Sequence, residues 1–167
     1  MADISVTDSN QYLTFMLGEE GFAIEISRVR EVLDFTDLTK VPRTPDYMRG
    51  VINLRGNVVP VVDLRLQLGM TAVEKTVDTC IVIVEVEIAS DMLHIGMLAD
   101  SVQEVVDIDS NQIEPAPRLG TRLKTDFIKG MAKRDEKFNI ILNIDKVLSG
   151  DDLLMLSSAQ IEETAVA

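Results

Sequence analysis

His94 and Cys80 are the chain's one imidazole and one thiol, so nucleophilic or metal chemistry would have to start from one of them. His94 lies in Leu93-His94-Ile95-Gly96, on the face opposite Leu93 and Ile95, with no Cys, Ser or second His in a recognisable arrangement around it. A histidine so placed reads as structural. Cys80 opens the apolar run Cys80-Ile81-Val82-Ile83-Val84. A single cysteine builds neither a disulfide framework nor a zinc site, and it reads as a buried thiol in a reducing compartment. Asp107-Ile108-Asp109-Ser110-Asn111 begins like a calcium loop, yet Gln112 and Arg118 stand where the loop needs Gly and Glu. No glycine-rich phosphate cradle is present. The doublets Asp151-Asp152 and Glu162-Glu163 fall at a helix start and in a tail, where carboxylates are solvated or favoured by the helix dipole. The expectation is a protein with no catalytic residues, no cofactor and no metal; a small acidic enzyme would need a convergent polar pocket that these residues do not offer.

Glu31 is the more informative charge. In strand register it shares a face with Val29, Leu33 and Phe35, which puts a carboxylate into an apolar row. Arg55, where Val51-Ile52-Asn53-Leu54 turns at Gly56-Asn57, could hold it through two parallel hydrogen bonds. Two unrelated surface charges fit the same pattern.

The elements that would position these groups are strands. Leu13, Phe15 and Leu17 alternate with Tyr12, Thr14 and Met16, and after Gly18-Glu19-Glu20-Gly21 the alternation resumes at Phe22, Ile24 and Ile26, the pattern of a hairpin. Val58 to Val62 is apolar on both faces, with Pro60 arguing for an edge or a bulge. Cys80, Val82, Val84, Val86 and Ile88 form an inward row, and Leu93, Ile95 and Met97, then Phe138, Ile140, Leu142 and Ile144, alternate again. Helices are expected to be short, after Asp63 and after Asn143, with a C-terminal one from Asp151. The core must be aliphatic, because aromatic residues make up 4% of the chain and Trp is absent. A net charge of −12 argues against nucleic acid and against direct contact with anionic membrane. The N-terminus lacks the basic and apolar segments of a signal peptide, so a cytoplasmic protein is expected.

The chain also repeats itself. Val29-Arg30-Glu31-Val32 is echoed by Val102-Gln103-Glu104-Val105, and Val41-Pro42 with Pro45 by Ile113 with Pro115 and Pro117. Asp46-Tyr47-Met48-Arg49-Gly50 is matched by Asp126-Phe127-Ile128-Lys129-Gly130, and the same spacing carries Asp63-Leu64 onto Asn143-Ile144. Order-preserving matches argue for duplication, with halves at about 12–70 and 78–150 between a tail over 1–11 and a helix end and tail over 157–167. Chance likeness between β-rich segments is the alternative. Each half would supply about five short strands and one helical turn, enough for a small barrel, with exchange of strands between halves on closure as an open alternative.

The run from Arg49 to Arg65, RGVINLRGNVVPVVDLR, resembles the signature of the CheW family of chemotaxis coupling proteins. Tyr12-Leu13-Thr14-Phe15 with Gly18, Ile26 to Val32, Val41-Pro42-Arg43-Thr44-Pro45 and Ile113-Glu114-Pro115-Ala116-Pro117 extend the resemblance over about 12–156. It implies two packed five-stranded SH3-like barrels and a non-catalytic, cytoplasmic scaffold. The implied partners are chemoreceptor cytoplasmic tips and the regulatory domain of the histidine kinase CheA, with other CheW-like domains possible in rings beneath receptor arrays at the inner membrane. A regulatory piece of a kinase, or of a receiver-bearing coupling protein, would share the fold. By position, the family's receptor groove would be lined by Leu17, Val29, Val32, Val102 and Val105, flanked by Glu31 and Arg55; plain core packing is the other reading of these valines. The kinase contact would lie around Val41, Met48, Gly50, Val51, Asn53 and Val59. Two features depart from the family pattern: the connection over Glu87 to Met92 is long, and Asn57 replaces a more usual apolar residue.

Overall fold

The computed structural model describes residues 11–88, 91–115, 127–134 and 137–147. The alternating runs form strands β1 (Gln11–Leu17), β2 (Glu20–Glu25), β3 (Val29–Asp34), β4 (Met48–Leu54), β5 (Asn57–Asp63), β6 (Cys80–Ile88), β7 (Asp91–Ala99), β8 (Ser101–Asp107), β9 (Ile113–Glu114), β10 (Ile128–Arg134) and β11 (Lys137–Leu142). The two short helices follow their capping residues: α1 (Leu64–Gln67), where Asp63 Oδ1 accepts from the Arg65 amide at 3.0 Å, and α2 (Ile144–Val147), where Asn143 Oδ1 accepts from the Lys146 amide at 3.3 Å.

The strands make two sheets. One runs β8-β1-β2-β11-β10-β9 and the other β3-β6-β7-β5-β4. Every step of the second has its counterpart in the first. The β1–β2 hairpin corresponds to β6–β7, the parallel pair β2 with β11 to β7 with β5, and β8 to β3. Even the irregularities recur: β4 bulges between Met48 and Gly50, and β10 between Ile128 and Gly130. The fold is thus two packed SH3-like barrels related by duplication. Each sheet joins the hairpin of one half to the later strands of the other.

This exchange explains why so many strands are apolar on both faces. Ile81 and Ile83 of β6 pack with Ile52, Val59 and Val61 inside the second sheet's barrel, while Val82, Val84 and Val86 enter a larger core with Leu13, Phe15, Leu17, Phe22 and Ile24 of the first sheet. Tyr12, Ala23, Ile108, Ala132 and Ile141 fill the first barrel. The largest core therefore lies between the sheets and belongs to both.

Several expectations change. The first sheet has six strands rather than five, because β9 adds two residues beside Met131 and Ala132. Pro60 occupies neither an edge strand nor a bulge: β5 is an inner strand, but its pairing with β7 begins only at Val61, so one side of Pro60 has no ladder to break. Cys80 is only partly buried. The β4–β5 turn is Arg55-Gly56 rather than Gly56-Asn57. Both turn residues have positive φ, 52° and 88°, and Leu54 pairs with Asn57, as a tight hairpin requires. Asp109 and Gln112 of the calcium-like segment instead make a 3₁₀ turn, with Gln112 Oε1 accepting from the Asp109 amide at 2.9 Å. The C-terminal helix from Asp151, both tails, and Ala116, Pro117 and Asp126 of the repeat lie outside the described residues.

Candidate functional site

Among the described residues, strands β3 and β8 each stand at one edge of their sheet, at equivalent positions. Cross-strand neighbours share a face. Val29 lies opposite Val84 and Val32 opposite Val82, and on β8 Val102 lies opposite Phe15 and Val105 opposite Leu13. All four partners belong to the shared core, so the four valines are turned toward the junction of the barrels. A bulge inside each strand keeps both of its valines on that one face. Val29 and Val102 pack on the core, whereas Val32 and Val105 are 40% and 47% exposed. Leu17 is fully buried beneath them in that core, a floor rather than a contact surface.

Glu31 and Arg55 do meet. Arg55 Nη2 donates to Glu31 Oε1, and Nη1 donates to Oε2 at 3.4 Å, a two-pronged arrangement. The left-handed turn aims Arg55 there, and Asn53 Oδ1 steadies the turn by accepting from the Gly56 amide at 2.8 Å. The Arg55 hydrogen bond, with its charge and against the effect of burial, holds the Glu31 carboxyl below the usual range. Arg55 is largely exposed, so the pair offers partners a fixed charge pattern more than it offers stability. Glu31→Ala and Arg55→Ala are expected to be non-additive when combined in a double-mutant cycle on partner binding, and additive losses would show two independent charges.

The residues grouped around β4 separate by burial. Met48, Gly50 and Val59 are buried, Val41 and Val51 are partly so, and Asn53 is exposed. Val41 and Met48 line a cleft of about 730 Å³ that also reaches Arg49, Asp63, Arg65 and Asp100. The segment between α1 and β6 is tied down beside it by Arg65 Nη1 donating to the Thr71 carbonyl at 3.1 Å, by the Phe35 amide donating to the Thr79 carbonyl at 3.2 Å, and by Lys75 Nζ standing 4.6 Å from the Phe35 ring centre.

His94 is exposed, with Nε2 3.4 Å from Glu85 Oε2, and Arg30 Nη2 reaches the same carboxylate oxygen at 2.7 Å. Among the described residues no cluster of His, Cys, Asp and Glu could hold a metal, and no helix is long and apolar enough to cross a membrane. Sequence reading missed two ion pairs at the barrel junction, Arg65 with Asp100 and Arg28 with Asp145. The available signal was that Arg65 and Asp145 occupy repeat-equivalent positions, each two residues after the matched Asp63 and Asn143, with opposite charge.

Comparison with known proteins follows this architecture. The CheW-like domain family matches residues 11–152. The chain is 30% identical to the chemotaxis protein CheW of Klebsiella aerogenes over 91% of its own length and 89% of that protein's, and 32% identical to that of Helicobacter pylori over 84% and 82%. It also matches chemotaxis protein CheV3 of Helicobacter pylori at 25% identity, covering 83% of this chain but 44% of that protein. Among solved structures, the scaffolding protein TtCheW of Thermoanaerobacter tengcongensis superposes with a TM-score of 0.75 at 36% identity, over 86% of this chain and 95% of that one. With the duplicated barrels, the exchanged hairpins and this match over nearly its whole length, the chain belongs to the CheW-like domain family.

Proposed function

We propose that the chain is a non-catalytic scaffold that couples chemoreceptor cytoplasmic tips to the regulatory domain of the histidine kinase CheA, in the cytoplasm and in arrays at the inner membrane. The observation that carries this reading is the pair of edge strands presenting Val29, Val32, Val102 and Val105 toward one junction, with the Glu31–Arg55 pair on β3's other face. An apolar groove suits one face of a receptor helix, whose apolar stripe would lie along it. The kinase would bind elsewhere, around Val41, Val51 and Asn53, with Met48, Gly50 and Val59 supporting that surface from inside. Other CheW-like domains could join through the same kind of contact. Modest affinities suffice when receptor, kinase and scaffold are multiply linked.

Mixing the purified chain with a receptor cytoplasmic fragment and the kinase should carry it into the sedimenting complex and change the kinase phosphorylation rate. Val32→Glu with Val105→Glu should cost at least about tenfold in receptor-fragment affinity, since interface anchors commonly contribute more than 1 kcal/mol each. Thermal stability should hold, because both side chains are already exposed. A chain that neither sediments nor alters the kinase would end the scaffold reading. The match to only part of CheV3 favours a second reading, in which this domain works inside a longer coupling protein.

A further inference from the structure

The two halves build the same junction twice, with the charges reversed. At the first, Arg65 of α1 donates to Asp100 in the crossing from β7 to β8, Nη2 to Oδ2 at 2.5 Å and Nε to Oδ1 at 3.1 Å, and Asp100 Oδ2 also accepts from the amide of Gly18 in the β1–β2 turn at 2.6 Å. At the second, Asp145 of α2 accepts from Arg28 Nη2 in the crossing from β2 to β3, and its Oδ1 also accepts from the amide of Glu87, near the end of β6, at 3.1 Å. Each clasp links three pieces: the helix that ends one sheet, the chain crossing between sheets, and the hairpin of the other sheet. The polarity is reversed, the helix giving the cation in one and the anion in the other, and Arg28 spends its Nε on the Glu85 carbonyl at 3.1 Å where Arg65 gives both prongs to Asp100.

Position in the chain gives the clasps their consequence. Arg28 immediately precedes Val29, and Asp100 lies two residues before Val102, so each clasp holds the point where the chain enters an edge strand bearing the groove valines. Arg65 is the most buried member of the four, at 13% side-chain exposure, and both carboxylates accept a backbone amide as well as a guanidinium. An exposed ion pair contributes little to stability. A pair that spans two sheets can still fix their relative orientation, because moving one against the other must break it. Burial would raise the Asp100 carboxyl, but the Arg65 and Gly18 hydrogen bonds and the Arg65 charge outweigh it and hold the group below its ordinary range, so the clasp stays ionised near neutrality.

We infer that the Arg65–Asp100 and Arg28–Asp145 clasps are positioning elements that set the opening between the edge strands β3 and β8. For its effect on receptor binding the inference rests on the groove reading above; its geometry does not.

The test is a distance across the groove in the full chain, read by pulsed electron resonance between spin labels on cysteines introduced at Val32 and Val105 in a Cys80→Ser background. Asp145→Arg, which sets two cations face to face, should shift or broaden the distribution by about 2 Å or more, the scale on which packed elements slide. Amide exchange in β6 and β11 should stay protected. Adding Arg28→Asp gives the second clasp the polarity of the first and should restore the original distance, which a merely local loss of stability would not do. Should Asp145→Arg lose amide protection throughout, Asp145→Asn, which keeps an acceptor for Glu87 and removes the charge, should show the same shift at smaller amplitude. An unchanged distribution in folded Asp145→Arg or in Asp145→Asn, or failure of the swapped pair to restore it, overturns the inference. A shifted distance with undiminished receptor-fragment binding would leave the clasps standing and count against the groove.

Discussion

Phe15→Ala is expected to remove about 3–5 kcal/mol of stability, the range for emptying a large aromatic site in a packed core, and to weaken both barrels together. Phe15 is fully buried and stacks on Phe22 with ring centres 5.8 Å apart and planes 18° from parallel. Its neighbours in the shared core include Val82, Val84, Ile95 and Met97 of the second sheet, so the cavity would open between the barrels rather than inside one. Domains of this size are stable by only about 5–15 kcal/mol, so a loss on this scale should show as a marked fall in the urea midpoint. One transition, coincident by circular dichroism and by a probe in each sheet, is the expected form. Two separate transitions would mean that the barrels fold independently and that the common core is not what joins them.

Gly50→Val should cost about 3 kcal/mol or more, combining backbone strain with overpacking. Gly50 has φ of +148° at the β4 bulge, and a Cβ there would stand 2.7 Å from the Thr39 carbonyl oxygen and 2.9 Å from Leu38 Cβ. Thr39 is bonded to Val51 in both directions, at 3.0 and 2.8 Å, so that backbone cannot move aside without breaking the bridge. The repeat-equivalent Gly130 is crowded the same way, its Cβ position lying 2.5 Å from Ile113 Cγ2 and 2.9 Å from the Glu114 oxygen. Gly56 is the control. Its φ is +88° but nothing lies within 4 Å of its Cβ position, so Gly56→Ala should cost only about 1 kcal/mol for the left-handed backbone. Thermal melts of the two variants decide the matter; equal losses at Gly50 and Gly56 would mean that φ alone, not the contact with Thr39, selects glycine.

The duplicated glycine shows how far reading along the chain reaches. Gly50 and Gly130 were visible as matched positions, but the strand each must clear lies about ten or more residues away in sequence, and only pairing brings it near. Glu31 and Arg55 were legible as a pair although they are far apart in the chain, because a charge among apolar neighbours needs a partner and Arg55 stands at a turn that can present one. The clasps were not, since Arg28 and Asp145 come from opposite ends of the chain. The list around β4 mixed buried with exposed residues because both faces of β5 are covered, which an unbroken apolar run cannot sort into inner and outer sides.

The sequence by itself determined the strands, the two capped helical turns, the duplication and the family, because these rest on patterns local to a few residues or on their recurrence. Only the tertiary structure decided that each β-hairpin joins the later strands of the other half, and hence that the largest core, the valine-bearing edges and both clasps meet at one junction. The physical reason is that backbone pairing is blind to which half a strand comes from, while burial is not: an aliphatic core divided between two sheets is filled only when both are assembled.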